Sequence, residues 1–114
     1  MPLFSFIVIA YNVSAYIETC LDSLKKQKGA EYEIIVVNDA STDDTLDTIY
    51  RCAADDSRFH VINKKTNGGA HLARRDGVLS SSGRFIVFVD GDDELSPSFC
   101  ELMGPYVLTH QSDI

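Results

Sequence analysis

The chain has 114 residues, 45% apolar and 24% charged, which fits one compact globular domain and argues against a disordered chain. A domain of this size buries roughly two thirds of its unfolded surface, enough for a continuous core without disulfides. Asp plus Glu number 17 against 10 Lys plus Arg, a net charge of -7, so an unassisted grip on a nucleic-acid backbone is excluded and any phosphate held here needs a cation.

In chain order, the first apolar run, Phe4 to Ala10, is rich in β-branched and aromatic residues and reads as a strand. A helix is expected from about Ala15 to Lys28, with Ile17, Cys20, Leu21 and Leu24 on one face, Ser14 as its cap and Gly29 as its stop. Ile34 to Val37 is a second strand. Ser41 and Thr42 are expected to cap a second helix, whose first turn holds Asp43 and Asp44 and whose buried stripe is Leu46, Ile49, Tyr50 and Ala53. His60 to Ile62 is a third strand. A third helix from about Ala70 to Leu79 is entered through Asn67-Gly68-Gly69 and ended by Ser80-Ser81-Ser82-Gly83, with Gly77 weakening it. Phe85 to Val89 is a fourth strand. Ser96-Pro97 reads as an N-cap followed by Pro at the first helical position, so a fourth helix starts at Ser98 and runs to Met103, before Gly104-Pro105. The tail to Ile114 carries no clear signal.

The first, second and fourth strands are continuously apolar rather than alternating, the pattern of strands covered on both faces of a parallel sheet. Strands separated by helices predict an α/β domain with right-handed crossovers, a three-layer α/β/α arrangement around a mostly parallel sheet. In such sheets ligands bind outside the carboxyl ends of the strands, near the place where strand order reverses.

Polar clusters stand at those ends: Ala10-Tyr11-Asn12, Asn38-Asp39-Ala40-Ser41 and Asp90-Gly91-Asp92-Asp93. Each of the first two also has a bland explanation, with Asn12 bonding its own loop, Asp39 in an Asx-turn and Tyr11 only packing. In the third, Asp90, Asp92, Asp93 and Glu94 crowd four carboxylates together, and mutual repulsion raises the cost of keeping them ionised. A hard divalent cation relieves that cost, and Mg²⁺ and Mn²⁺ favour such oxygen ligands. Gly91 lets the turn approach a ligand closely. Arg74 and Arg75 follow a glycine-rich helix start whose free N–H groups can meet an anion, the bland alternative being a solvated helix face. His60 and His110 lack companions at ligand spacing, and the Asp43, Asp44, Asp47 group reads as helix-end charge. Cys20, Cys52 and Cys100 lack Cys-x-x-Cys spacing and are expected as reduced core thiols.

Four segments together, Phe6 to Asn12, Glu33 to Thr45, Asn67 to Arg74 and Gly83 to Asp93, resemble family 2 glycosyltransferases of the GT-A fold, in the same order and spacing across nearly the whole chain. The resemblance implies a Rossmann-like nucleotide-binding half and inverting, metal-dependent sugar transfer from a nucleotide-diphosphate sugar, UDP foremost, to a saccharide or lipid-linked acceptor. Carried over by position, Ala10, Tyr11 and Asn12 line the nucleotide site, with Tyr11 flanking the base. Asp39 accepts a hydrogen bond from the base, and Arg74 lies near the base or phosphates. Asp90, followed by Gly91, contacts the ribose or sugar side. Asp92 ligates Mn²⁺ or Mg²⁺ at the diphosphate. Two positions depart from the family, which often has Pro at Ala10 and Asn at Arg75.

The family supplies its catalytic base from an acceptor-binding half, and no residue after Glu94 is assignable to that role. The chain is therefore expected to be the nucleotide-binding part, residues 1–114, of a longer enzyme. A non-catalytic nucleotide-sugar-binding module is the alternative. Aspartate-based phosphohydrolases also carry Asp-x-Asp at a strand end, but on their first strand, whereas here it follows the fourth. The first residues lack the basic segment of a signal peptide, and no apolar run approaches the ~20 residues of a membrane span. A cytoplasmic address is expected, with membrane proximity arising only through a longer form, and no nucleic-acid partner.

Overall fold

A computed structural model describes residues 1–110, and the tail Gln111 to Ile114 lies outside them. The elements run β1 (Phe4–Ala10), α1 (Ile17–Lys25), β2 (Tyr32–Asp39), α2 (Thr45–Ala53), β3 (Phe59–Lys64), α3 (Ala70–Ser80), β4 (Phe85–Asp90) and α4 (Phe99–Thr109). All strand pairs are parallel, in the order β3-β2-β1-β4, with β1 and β2 in register from Phe4 opposite Tyr32 to Ala10 opposite Asn38. The chain winds outward from β1 through β2 to β3, then returns to the other flank of β1 as β4, so strand order reverses between β1 and β4. This is the three-layer α/β/α fold that the alternation of elements predicts.

Side chains alternate along β1. Phe4, Phe6, Val8 and Ala10 face a core shared with Ile17, Leu21 and Leu24 of α1, Ile49 of α2 and Cys100 of α4. Ile7 faces the other way and meets Ile35, Val37 and Ala73 under α3. Phe99 anchors α4 against the sheet, its ring centroid 5.5 Å from that of Phe4 and 5.9 Å from that of Phe6. Burying each such side chain contributes about 1.5–3 kcal/mol. Gly77 is a packing requirement rather than a flaw in α3, because a Cβ there would stand 2.4 Å from Ile7 Cγ2. The three cysteines are free and buried.

Several local expectations are corrected. β4 is an edge strand covered on one face only, so Val89 is buried while Ile86 and Phe88 are 39% and 49% exposed. α1 starts at Ile17 and ends at Lys25, short of Gly29, and Ser14 does not cap it, because Tyr16 stands at the N-cap position; the Ser14 N–H is directed at Asp43 Oδ2, 3.3 Å away. Ser41 and Thr42 do not cap α2, which begins after Asp44; both are drawn instead to the loop after β1. Tyr50 is half exposed, and Thr45 takes its expected place in the buried stripe with Ile49 and Cys52. α4 begins at Phe99, after Ser98, so Ser96 and Pro97 precede it rather than start it, and it continues through Gly104-Pro105 to Thr109. Burial of Cys100, Gly104 and Val107 along one side overrides the local stop signal there.

Candidate functional site

The carboxyl ends of β1, β2 and β4 bring the predicted polar clusters to one rim of the sheet, on both sides of the reversal between β1 and β4. Ala10 is fully buried as the last residue of β1. Tyr11 follows it, 47% exposed at the mouth of the site. Asn12 has a left-handed backbone, φ 51°, which Asn tolerates better than most residues. Its side-chain oxygen is bonded across to the loop after β2. Asn12 Oδ1 accepts from the Thr42 N–H at 2.8 Å, and its own N–H donates to Ser41 Oγ at 3.0 Å.

Asp39, at the end of β2, is 2% exposed. Its two carboxylate oxygens accept from the N–H groups of Gly68 and Gly69, each at 3.0 Å, and its carbonyl accepts from Asn67 Nδ2 at 3.3 Å. The glycine-rich entry of α3 therefore does not offer these two N–H groups to an external anion: Asp39 already supplies the negative charge. One and a half turns into α3, Arg74 Nη2 stands 3.9 Å from Asp90 Oδ1, and its guanidinium lies 5.9 Å from the Phe88 ring centroid. Arg75 turns instead toward Asp76, 3.6 Å away.

The acidic turn follows β4. Gly91 is buried, donates its N–H to the Ile9 carbonyl at 3.0 Å, and a Cβ there would meet Ile9 O and Val13 Cγ2, each at 3.0 Å. That close approach folds the turn so that oxygens of Asp90, Asp92 and Asp93 come within 4.8 Å of one another, all three residues exposed. Three convergent carboxylates are a hard oxygen set that fits Mg²⁺ or Mn²⁺. Asp93 joins Asp90 and Asp92 because its N–H bonds back to the Asp90 carbonyl at 3.0 Å. Beneath the turn, the Cys20 thiol donates to the Asp90 carbonyl at 3.6 Å. Burial, reinforced by the charges of Asp93, Asp92, Asp90 and Glu94, pushes the Cys20 pKa up to about 12. It is a neutral hydrogen-bond donor, not a thiolate ligand.

His60 and His110 stay outside the site. His60 lies on β3, 3.8 Å from Glu33 at the opposite rim, and His110 stacks on Tyr106 with centroids 4.2 Å apart. Sequence reasoning passed over Thr45 and misread Asp43. Asp43 Oδ1 accepts from the Thr45 N–H at 3.0 Å and from its hydroxyl, while Thr45 Oγ1 accepts from the Val13 N–H at 3.0 Å. The hydroxyl bond from Thr45, with the other bonds to Asp43, holds the Asp43 pKa down to about 2. The Asp-x-Thr spacing of an Asx-turn was the signal available for this pair.

A parallel α/β sheet with polar and acidic groups gathered at its order reversal has them where open α/β sheets form a binding crevice. The model of the family described as glycosyl transferase family 2 matches residues 5–114, and the chain belongs to that family. It is 42% identical over 102 residues to the putative glycosyltransferase EpsH of Bacillus subtilis (strain 168), covering 90% of this chain and 29% of that protein. The structure of S. aureus TarS 1-349 in complex with UDP-GlcNAc is similar, with TM-score 0.88 and 33% identity over 95% of this chain and 32% of that one. Glucosyl-3-phosphoglycerate synthase from Mycobacterium tuberculosis, in complex with Mn²⁺, UDP and glucosyl-3-phosphoglycerate, matches with TM-score 0.73 and 27% identity over 92% of this chain and 39% of that one. The chain thus spans about a third of the length of these proteins. Among the described residues no helix is long and apolar enough to cross a membrane.

Proposed function

We propose that this chain is the donor-binding part of an inverting, metal-dependent glycosyltransferase that moves a sugar from a nucleoside-diphosphate sugar, UDP foremost, to a saccharide or lipid-linked acceptor. The observation that carries this reading is the convergence of Asp90, Asp92 and Asp93 within 4.8 Å where strand order reverses. Support comes from the UDP-GlcNAc held by TarS and from the Mn²⁺ and UDP held by the Mycobacterium synthase. Asp92, with Asp90 and Asp93 beside it, holds a divalent cation, Mn²⁺ or Mg²⁺. When bound, that cation supplies positive charge where the diphosphate departs.

The chain's own residues do the rest. Tyr11 offers an aromatic face to the base, and Asp39 accepts from it with lone pairs left over from Gly68 and Gly69. Asp90 serves the ribose or sugar side, and Arg74, drawn toward Asp90, adds the positive charge nearest the phosphates. The acceptor site and the base that deprotonates the acceptor hydroxyl belong, on this reading, to the further two thirds found in the longer relatives.

The test is a thermal-shift panel of UDP, GDP, CDP and TDP and their sugars, with and without Mn²⁺, on this chain and on Asp92→Ala. Ligand at a hundredfold excess over Kd adds about 2.7 kcal/mol to apparent stability. A Mn²⁺-dependent shift with a uridine ligand, absent from Asp92→Ala, is expected. A panel with no metal-dependent shift overturns the assignment.

A further inference from the structure

The loop after β1 and the loop after β2 are joined by side chains that read as unrelated in sequence. The Asn12 N–H donates to Ser41 Oγ at 3.0 Å, and the Thr42 N–H donates to Asn12 Oδ1 at 2.8 Å. The Val13 N–H donates to Thr45 Oγ1 at 3.0 Å, and the Ser14 N–H reaches Asp43 Oδ2 at 3.3 Å. Three consecutive backbone N–H groups, of Asn12, Val13 and Ser14, thus find acceptors on a segment about thirty residues away. These are groups that a short loop cannot satisfy within itself. Tyr11 is the residue that enters this clasp from β1, and it is the loop's exposed aromatic side chain beside the clasp.

Thr45 is the centre of the clasp and is fully buried at the first position of α2. Its hydroxyl spends its proton on Asp43 and turns a lone pair to Val13, so one oxygen ties both loops. A Val in its place would keep the shape, lose both bonds and leave the Val13 N–H without an acceptor.

We infer that Thr45, oriented by Asp43, is a positioning residue for nucleotide binding, acting through the loop that presents Tyr11 rather than by touching the ligand. The inference rests on the donor-binding reading above. A Tyr held in one place before the ligand arrives loses less freedom on binding, and affinity gained this way is affinity from pre-organisation. Neither Thr45 nor Asp43 makes a described hydrogen bond to the acidic turn; what joins them is apolar packing of Val13 toward Gly91, so cation binding at Asp90, Asp92 and Asp93 is expected to respond far less than nucleotide binding.

The experiment is a double-mutant cycle of Thr45→Val and Tyr11→Ala, reading Kd for UDP with Mn²⁺ by calorimetry, with Thr45→Ser as rescue and Val107→Ala on α4 as a destabilised control. Hydrogen exchange of residues 11–16 is followed in parallel. Thr45→Val is expected to raise Kd about tenfold, to speed exchange in 11–16, and to change the binding of Mn²⁺ alone far less. Thr45→Ser restores the Kd, Val107→Ala leaves it unmoved, and Thr45→Val adds nothing further in the Tyr11→Ala background. Additive effects of Thr45→Val and Tyr11→Ala, or an unchanged Kd in Thr45→Val, overturn the clasp while leaving the donor site standing. Failure of the unaltered chain to bind UDP at all overturns the donor reading and the inference with it.

Discussion

The two rims of the sheet are both polar and are built in opposite ways. At the amino rim, Glu33 is buried on β2 and its carboxylate is fully engaged: it accepts from Ser5 Oγ, from the Ser82 N–H at 2.6 Å and from Ser82 Oγ at 3.0 Å, while Gly83 donates to Ser5 Oγ at 2.8 Å. One acid staples β1, β2 and the approach to β4. At the carboxyl rim, Asp90, Asp92 and Asp93 are exposed, and their mutual closeness is destabilising by itself. A cavity of about 570 Å³ opens near the amino rim, lined in part by Tyr32, Glu33, Arg58 and His60, yet its buried acid, Glu33, already has its partners in the fold. Concavity alone therefore does not mark the site. Among the described residues, three convergent carboxylates that share a single long ion pair, Arg74 with Asp90, do mark it, and they lie at the other end of the strands.

This contrast can be broken from either side. The largest stability effect is expected at the amino rim: Glu33→Ala leaves the donors of Ser5 and Ser82 unsatisfied and costs about 2–3 kcal/mol by chemical denaturation. UDP affinity measured below the new transition stays the same. A large change in affinity with little change in stability would abolish the division between the rims.

The pH dependence comes next. Burial pushes the Glu33 pKa up, but the hydrogen bonds from Ser5 and Ser82 outweigh burial and hold it below its ordinary value of 4.5. Asp43 is lowered from 3.8 to about 2 by its bonds from Thr45 and Ser14. Both acids bind protons more readily in the unfolded chain, so their stabilisation is complete above about pH 4.5 and is lost as pH falls through their folded values. Denaturation midpoints should decline between pH 5 and roughly 2, and Glu33→Gln should flatten the upper part of that decline. A midpoint that rises on acidification would contradict the assigned bonds. The smallest effect is expected on the open face of β4, where Ile86→Thr shifts stability by about 0.5 kcal/mol or less by thermal melt, because that side chain has already kept much of its contact with water.

How much of this was legible in sequence depends on how far each partner lies along the chain. Phe4 to Ala10 and Ile34 to Val37 were readable as doubly covered strands because their own apolar runs state it. Phe85 to Val89 has the same appearance, but its cover depends on what flanks the sheet, which no local pattern encodes, and Ile86 and Phe88 are left half open. The acidic turn was readable because Asp90, Asp92 and Asp93 are neighbours in sequence. Asp39 was readable as a polar residue at a strand end, yet its hold on Gly68 and Gly69 spans about thirty residues and carries no local mark. The Ser14 and Ser41 side chains matched capping rules, and longer-range bonds claimed their loops instead.

The central position of β1 has a consequence for how the chain is made. β1 leaves the ribosome first, and its neighbours are β2, which follows closely, and β4, which comes last of the strands. At about 5–20 residues per second, several seconds pass between the first strand and its second partner. Throughout that interval the edge of β1 that will meet β4 presents unpaired backbone to whatever else is in the cell, and the face carrying Phe4 and Phe6 waits for Phe99 of α4. The acidic turn, which follows β4, is thus the last part of this carboxyl rim to take shape.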